Sequence, residues 1–569
     1  MPPSGPARTR AYWILALIVA LALAMRVASA GRMLPELREP DAFEVYEMQR
    51  VQQDPALVKG VNFDERYPWL LAWTLAGLPA AHPPATVSAT DAEELHLAAA
   101  ARPFLRVRLA VVLLATLQVL LVFFLARRFL PEPWALVACF LVATSLLQLL
   151  FATQARPHGA HAGLALLALI AALQLVERFS LARLALAALA SCAAIATFQM
   201  GFSTLPPLFV ACLFAQGQSL KGRVLCAIIA PLAAILLALL WYTNKPYIDA
   251  SGIHLASAAG GGHTLFFQGM DFLGALRAAR LLFEHDPLLA LSAGAGLALL
   301  LARARGAWKC ADASRRRALL VACAFALPYT LVLTIQGEVY ERFLVPLLPF
   351  AALLGAGFLA WVWSWRPVRA PVAVAFLALP AVSALQYVRL ALVPDSFEQA
   401  ADWIRHNVDH EAHIALLPDN SLPLLYSREA VQEQMQDRAA RNIPWVTYQA
   451  TIPALPPGTP TWDVRCVPIT VTPPSAGPNE GLMRNWLSEE RVDYLVVEYS
   501  QRMWRKPIIP SLERAASDMG ELVFRSSGSP PGLVDVGTME FQGIHDFAWR
   551  QIRQGALGPQ LRIWKLNRR

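Results

Sequence analysis

Four carboxylates crowd the stretch LREPDAFEVYEMQRV, residues 37–51: Glu39, Asp41, Glu44 and Glu47, with Tyr46 among them. The stretch begins a few residues after the apolar run AYWILALIVALALAM. Carboxylates beside a membrane segment can take a proton, hold a cation or simply face water from an amphipathic helix. For Glu39, Glu44 and Glu47 the last reading is the simplest, with Phe43, Met48 and Val51 turned to the membrane. Asp41 stands apart, because it follows the first apolar run closely enough to lean over a membrane cavity.

Four further stretches carry chemistry. In NFDERYPWLLAWTLAG (62–77), Asp64, Glu65 and Arg66 precede an aromatic run too short to span a bilayer and suited to lying in its interface. At headgroup height Glu65 could hold a divalent cation and Arg66 a lipid phosphate; ordinary interfacial charge is the alternative. FATQARPHGAHAG (151–163) gathers Gln154, Arg156, His158 and His161. Of these, Arg156 best suits an anion, since a guanidinium grips phosphate with two parallel bonds. The segment 243–286 carries Lys245, His254 and His263 around a GGG run. Those three are candidate phosphate, acceptor or metal contacts on a loop able to fold over substrate, or else parts of a plain external loop. TIQGEVYERFLVPLLPF (334–350) sets Glu338, Tyr340, Glu341 and Arg342 at the edge of an apolar segment. Ionisable groups at membrane depth are costly and mark function by default, although Arg342 could equally snorkel to the interface.

The elements that must position these residues are membrane helices. The chain of 569 residues is 56% hydrophobic and 16% charged, with mean hydropathy +0.43, against about 25% charged in soluble domains. Runs of about 20 apolar residues predict eleven spans: 12–30, 104–125, 134–152, 160–176, 182–198, 202–216, 224–242, 287–303, 318–335, 343–363 and 371–390. Every second loop is basic: Arg8 and Arg10; Arg127 and Arg128; Arg178 and Arg183; Lys221 and Arg223; Arg303 through Arg317; Arg366 and Arg369. The positive-inside rule puts those loops in the cytoplasm. It also accounts for the +8 charge without nucleic acid. The N-terminus is then cytoplasmic, and residues 31–103, 243–286 and everything after about 391 lie outside. The first run, ending in an ASA at 28–30, also has the layout of a cleavable signal peptide. Arg26 inside it favours retention as a helix.

The seven cysteines form no CxxC pair, so neither a disulfide framework nor a zinc module is indicated. Residues 391–569 hold no long apolar run. DSFEQAADWIRHNVD has helical spacing with Asp395 or Ser396 as cap, while HIALLP and VDYLVVEYS read as strands. The fold class expected is therefore mainly α. It comprises a polytopic helical bundle, 1–390, with outer loops 31–103 and 243–286, and a C-terminal extracytoplasmic α/β domain, 391–569.

Taken in order, the segments PDAFEVYE, ERYPWLLAW, RVRLAVVLLATLQVLLVFFLARRF, QARPHGAHAGLALLAL, YERFLVPLLPF and AADWIRHNV resemble the GT-C glycosyltransferases. The likeness is to the family 39 and aminoarabinose-transferase-like branch that uses polyprenyl-phosphate sugars, over about residues 30–420. The resemblance implies an inverting transferase of the cell envelope, placed in a bacterial inner membrane. Asp41 would be the general base and Glu65 a metal ligand or acceptor-orienting group. Arg66, assisted by Arg156, Arg342 and Lys245, would hold the donor phosphate, with His254 and His263 near the acceptor. Two departures from the family pattern are Tyr67, in place of its first proline, and Ala42, where protein O-mannosyltransferases carry a second acid. The acceptor is left open among lipid, glycan and protein. A flippase for lipid-linked glycans and a noncatalytic membrane scaffold are the competing readings. The outward grouping of the charges favours an enzyme over a flippase.

Overall fold

The computed structural model describes residues 6–34, 45, 48–49, 51–52, 68, 70–78, 88–241, 247–249, 252–254, 272–335, 339–417, 421–436, 444–467, 480–499, 508–528 and 555–567. The chain divides into two compact units. The first comprises residues 1–30, 46–78 and 107–385, the second residues 31–45, 79–106 and 386–569.

The first unit is built from helices: α1 (Pro6–Ser29), α2 (Leu70–Ala76), the later part of α3 (Ala92–Ala126), α4 (Glu132–Ala143), α5 (Leu146–Ala152), α6 (Pro157–Glu177), α7 (Leu181–Thr197), α8 (Leu205–Leu213), α9 (Leu220–Leu239), α10 (Gly274–His285), α11 (Pro287–Cys310), α12 (Ala313–Ile335) and α13 (Leu348–Val362). A short hairpin pairs β1 (Tyr247–Asp249) with β2 (Gly252–His254). Among the described residues seven helices are long and apolar enough to cross a membrane. The pair α4–α5 would make one more span, bent by 56° at its break, and three apolar helices are shorter (Leu181–Thr197, Gln199–Leu213, Pro287–Arg303). Each of the eleven expected spans coincides with one of these helices or with the bent pair. The chain is an integral membrane protein with a mainly helical fold.

Apolar burial does not drive helices together in lipid, so close approach and hydrogen bonds must. Small residues supply the approach. A Cβ on Gly163 would stand 2.0 Å from the Leu114 carbonyl oxygen, and one on Gly296 would stand 2.1 Å from that of Leu354. Glycine at these two positions lets α6 lie against α3 and α11 against α13. Polar ties add to this: Cys139 Sγ donates to Val119 O across 3.2 Å, and Tyr329 Oη donates to Phe343 O across 2.9 Å.

Loops sort to two ends. At one end Arg128 pairs with Glu177, Arg127 with Glu132 at 3.5 Å, and Arg315 reaches Phe129 O. There Arg183 Nη1 donates to Gln174 O at 2.9 Å, and Phe179 N donates to Gln216 O at 3.1 Å. The basic loops after the second, fourth, sixth and eighth spans thus meet, and their arginines satisfy helix C-terminal carbonyls. At the other end the segments around 145–158, 198–204, 284–286 and 340–346 converge.

The segment 243–286 differs from a plain loop. Its last part forms α10, whose Arg280 and Glu284 pair one turn apart at 2.7 Å. Runs too short for a span conceal such a surface helix from a hydropathy reading.

The second unit holds a five-stranded sheet in the order β4-β3-β5-β7-β6, with β3 (His413–Leu416), β4 (Asp463–Cys466), β5 (Tyr494–Glu498), β6 (Gly520–Arg525) and β7 (Leu561–Leu566). β3 lies parallel to β4 and β5, whereas β7 runs antiparallel to β5 and β6. The all-buried YLVVE of β5 is central, as expected of a strand covered on both faces. The helix Ser396–Asn407 is capped by Asp395. Its carboxylate accepts from Phe397 N and Glu398 N, and Glu398 returns a bond to the cap backbone, completing a capping box.

Candidate functional site

The residues with the most chemistry in their sequence context divide in two. Asp41, Glu65, Arg66, Lys245 and His263 lie outside the described residues. His254 closes β2, and its side chain lies outside them as well. Arg156 and Arg342 are described and belong to one cluster.

Arg156 occupies the N-cap of α6 in an extended conformation, with Pro157 following at the first helical position. Proline there needs no N–H and presets the helical φ, so the turn from α5 into α6 is sharp. Arg156 is buried, at 7% exposure. Arg342 sits in the 3₁₀ helix Glu341–Leu347, where Pro346 and the neighbouring apolar residues pack inward. Its guanidinium lies 4.2 Å from the ring centre of Tyr340 and 5.3 Å from that of Phe343, stacked as cation–π pairs prefer. Glu341, buried at 2% exposure, interacts electrostatically with Arg342, Glu284 and Arg156. Glu284, buried at 6%, receives Arg280 Nε at 2.7 Å. Two arginines and a second acid therefore lie within electrostatic reach of Glu341 among apolar helices, where charges act more strongly than in water.

The wall is aromatic. The His158 ring lies 4.6 Å from Phe198 and 6.2 Å from Phe343, and Phe198 stacks on Phe343 at 6.2 Å. His161 Nδ1 lies 3.3 Å from Ala194 O. Among the described residues, His161 Nε2 and Gln199 Oε1 are buried with no hydrogen-bond partner. The sequence context suggested that Gln154, Arg156, His158 and His161 share a surface. They are together, but all four are buried. The cluster can bind an anion through the two guanidiniums and can offer hydroxyl groups the two carboxylates as acceptors.

Glu284 and Gln199 carried no signal as isolated residues. For Glu284 the available signal was the spacing to Arg280; for Gln199 there was none. The described residues contain no group of three or more His, Cys, Asp or Glu placed to hold a metal ion.

No protein-family model matches the sequence, and no curated protein matches it. The solved structures it is similar to include those of two proteins. One is the oligosaccharyltransferase of Archaeoglobus fulgidus in the apo form (13% identity over 94% of this chain and 75% of that chain, TM-score 0.43). The other is ArnT from Cupriavidus metallidurans, in the apo state (15% identity, 90% and 96% covered, TM-score 0.44) and bound to undecaprenyl phosphate (15% identity, 96% and 97% covered, TM-score 0.42).

Proposed function

We propose that the protein is an inverting glycosyltransferase that moves a sugar from a polyprenyl-phosphate donor to an acceptor at the extracytoplasmic face. The observation that carries this reading is that the buried Glu341 lies within electrostatic reach of Arg156, Arg342 and Glu284, with Arg156 and Glu284 buried as well and Arg342 half-buried. A lipid-linked phosphate is the anion most naturally delivered to such a place. It diffuses in the membrane, and no nucleotide-binding motif is present in the sequence.

In this reading Asp41 takes the proton of an acceptor hydroxyl or amine. The freed electron pair attacks the anomeric carbon from the face opposite the phosphate. The bond from that carbon to the phosphate oxygen breaks, and polyprenyl phosphate leaves with its charge held by Arg66, Arg156 and Arg342, assisted by Lys245. Glu65, His254 and His263 orient the acceptor. A divalent cation at Glu65 would add charge to the phosphate grip. The described residues present no donor set that fits one, and no step here depends on it. Lipid, glycan and protein acceptors are all compatible with this reaction. An N-terminus in the cytoplasm and a tail on the outer side of a bacterial inner membrane complete the proposal.

The test is native mass spectrometry of the purified protein. A bound species with the mass of a polyprenyl phosphate or its glycosyl derivative supports the reading. A folded protein carrying only bulk phospholipid overturns it.

A further inference from the structure

Between α4 and α5, a bent pair that together is long and apolar enough for one span, the helix stops at Ala143 and restarts at Leu146. A break inside a membrane segment creates a C-terminal end with unpaired carbonyls and an N-terminal end with unpaired N–H groups, and lipid can satisfy neither. Two charged side chains from distant parts of the chain do so. Both terminal nitrogens of Arg26, from α1, reach Ala143 O at 3.3 Å. Asp286, from the α10–α11 junction, accepts from Leu146 N at 2.9 Å, Leu147 N at 3.2 Å and Ser145 Oγ at 2.6 Å. The positive group meets the negative helix end and the negative group the positive end, as the two dipoles require.

The contacts run on from there. Arg26 also binds the Gln148 side chain, with Nε at 2.9 Å. Gln148 Nε2 lies 3.4 Å from Gln118 Oε1, and Gln118 Nε2 donates to Val345 O at 2.9 Å. Val345 shares a 3₁₀ helix with Arg342, α5 leads in a few residues to Arg156, and Asp286 is two residues from Glu284. One polar network thus ties the three segments that carry the anion cluster.

We propose that Arg26 and Asp286 are positioning residues: they lock the break in the α4–α5 span and thereby hold Arg156 and Arg342 at a fixed separation for the donor phosphate. The phosphate part of this inference rests on the function proposed above; the lock does not. Arg26 is fully buried, and its hydrogen-bond partners among the described residues are the Gln148 side chain and the Ala22 and Ala143 carbonyls, a buried charge too costly to keep in a membrane for packing alone.

The experiment uses the full-length protein with Ala155, which is buried, changed to cysteine. It compares Asp286→Asn, Asp286→Ala, Arg26→Lys and Arg26→Met, each checked for a monodisperse elution profile. A membrane-impermeant maleimide, read peptide by peptide in a mass spectrometer, reports opening around residue 155. Binding of added undecaprenyl phosphate reports the anion cluster. The lock predicts labelling faster by about tenfold in Asp286→Ala and Arg26→Met, the change one lost charge-assisted bond produces. Asp286→Asn and Arg26→Lys should show smaller increases, because they keep part of the hydrogen bonding. Labelling at the parent rate in all four variants overturns the proposal. Faster labelling with no lipid bound even by the parent protein retains the lock and removes the donor assignment. If Asp286→Ala and Arg26→Met do not fold, the conservative pair decides: an increase supports the lock and parent-rate labelling refutes it.

Discussion

Arg405 Nε donates to Glu93 Oε1 across 2.6 Å, joining residues 312 positions apart. The same glutamate accepts from Leu425 N at 3.2 Å, and Arg405 also reaches Pro423 O at 2.6 Å. His96, one turn further along α3, lies 3.2 Å from Tyr448 Oη. The first turns of a long membrane helix are therefore part of the second compact unit, as the division of the chain at residue 106 reflects. A carboxylate that serves two donors at once is expensive to remove. Glu93→Ala should weaken this corner by about 1–2 kcal/mol, the range for hydrogen bonds to charged groups that stay partly in contact with water. Hydrogen exchange over residues 421–431 reads this directly. An increase of about tenfold is expected, and an unchanged rate would show that the ion pair is ornamental.

In the proposed reaction Arg156 holds the donor phosphate. Arg156→Ala should raise the donor KM by about 10- to 100-fold, the worth of one charge-assisted bond, with a smaller effect on kcat. Arg156→Lys should recover part of the loss, since a point charge replaces a two-pronged one. Steady-state kinetics at varied donor concentration separates the cases. A variant with normal KM and collapsed kcat would place Arg156 in the chemical step.

The sorting of loops to two ends leads to a topology prediction. Reporter fusions after residue 310 should give a cytoplasmic signal, and fusions at the C-terminus an external one. The same signal from both positions contradicts the arrangement.

What could be read from the sequence was what repeats locally. Twenty-residue apolar runs and alternating basic loops are periodic signals, and each expected span met a helix. A cap at Asp395 or Ser396 was visible because a capping box is encoded within four residues, and the structure makes it Asp395. The break at Thr144–Ser145 was not visible. In VACFLVATSLLQLLF the polar pair Thr144–Ser145 is too short to end an apolar span in a hydropathy reading, and the partners that stabilise the interruption, Arg26 and Asp286, come from far away in sequence. The cluster was legible in part for the same reason. Arg156 and Arg342 stood out as charges at span ends, whereas Glu284 joined them only through the packing of α10.

In the proposed reaction Asp41 is the general base. The decisive measurement is the rate of sugar transfer by purified Asp41→Asn, with Glu44→Gln and Glu47→Gln alongside. Loss of a general base costs about 10²–10⁴-fold in rate. Asp41→Asn should lose transfer to that degree while keeping membrane insertion and donor binding, and the two glutamine variants should stay near the parent rate. Transfer at the parent rate by Asp41→Asn, with activity abolished in Glu44→Gln or Glu47→Gln, would contradict the assignment.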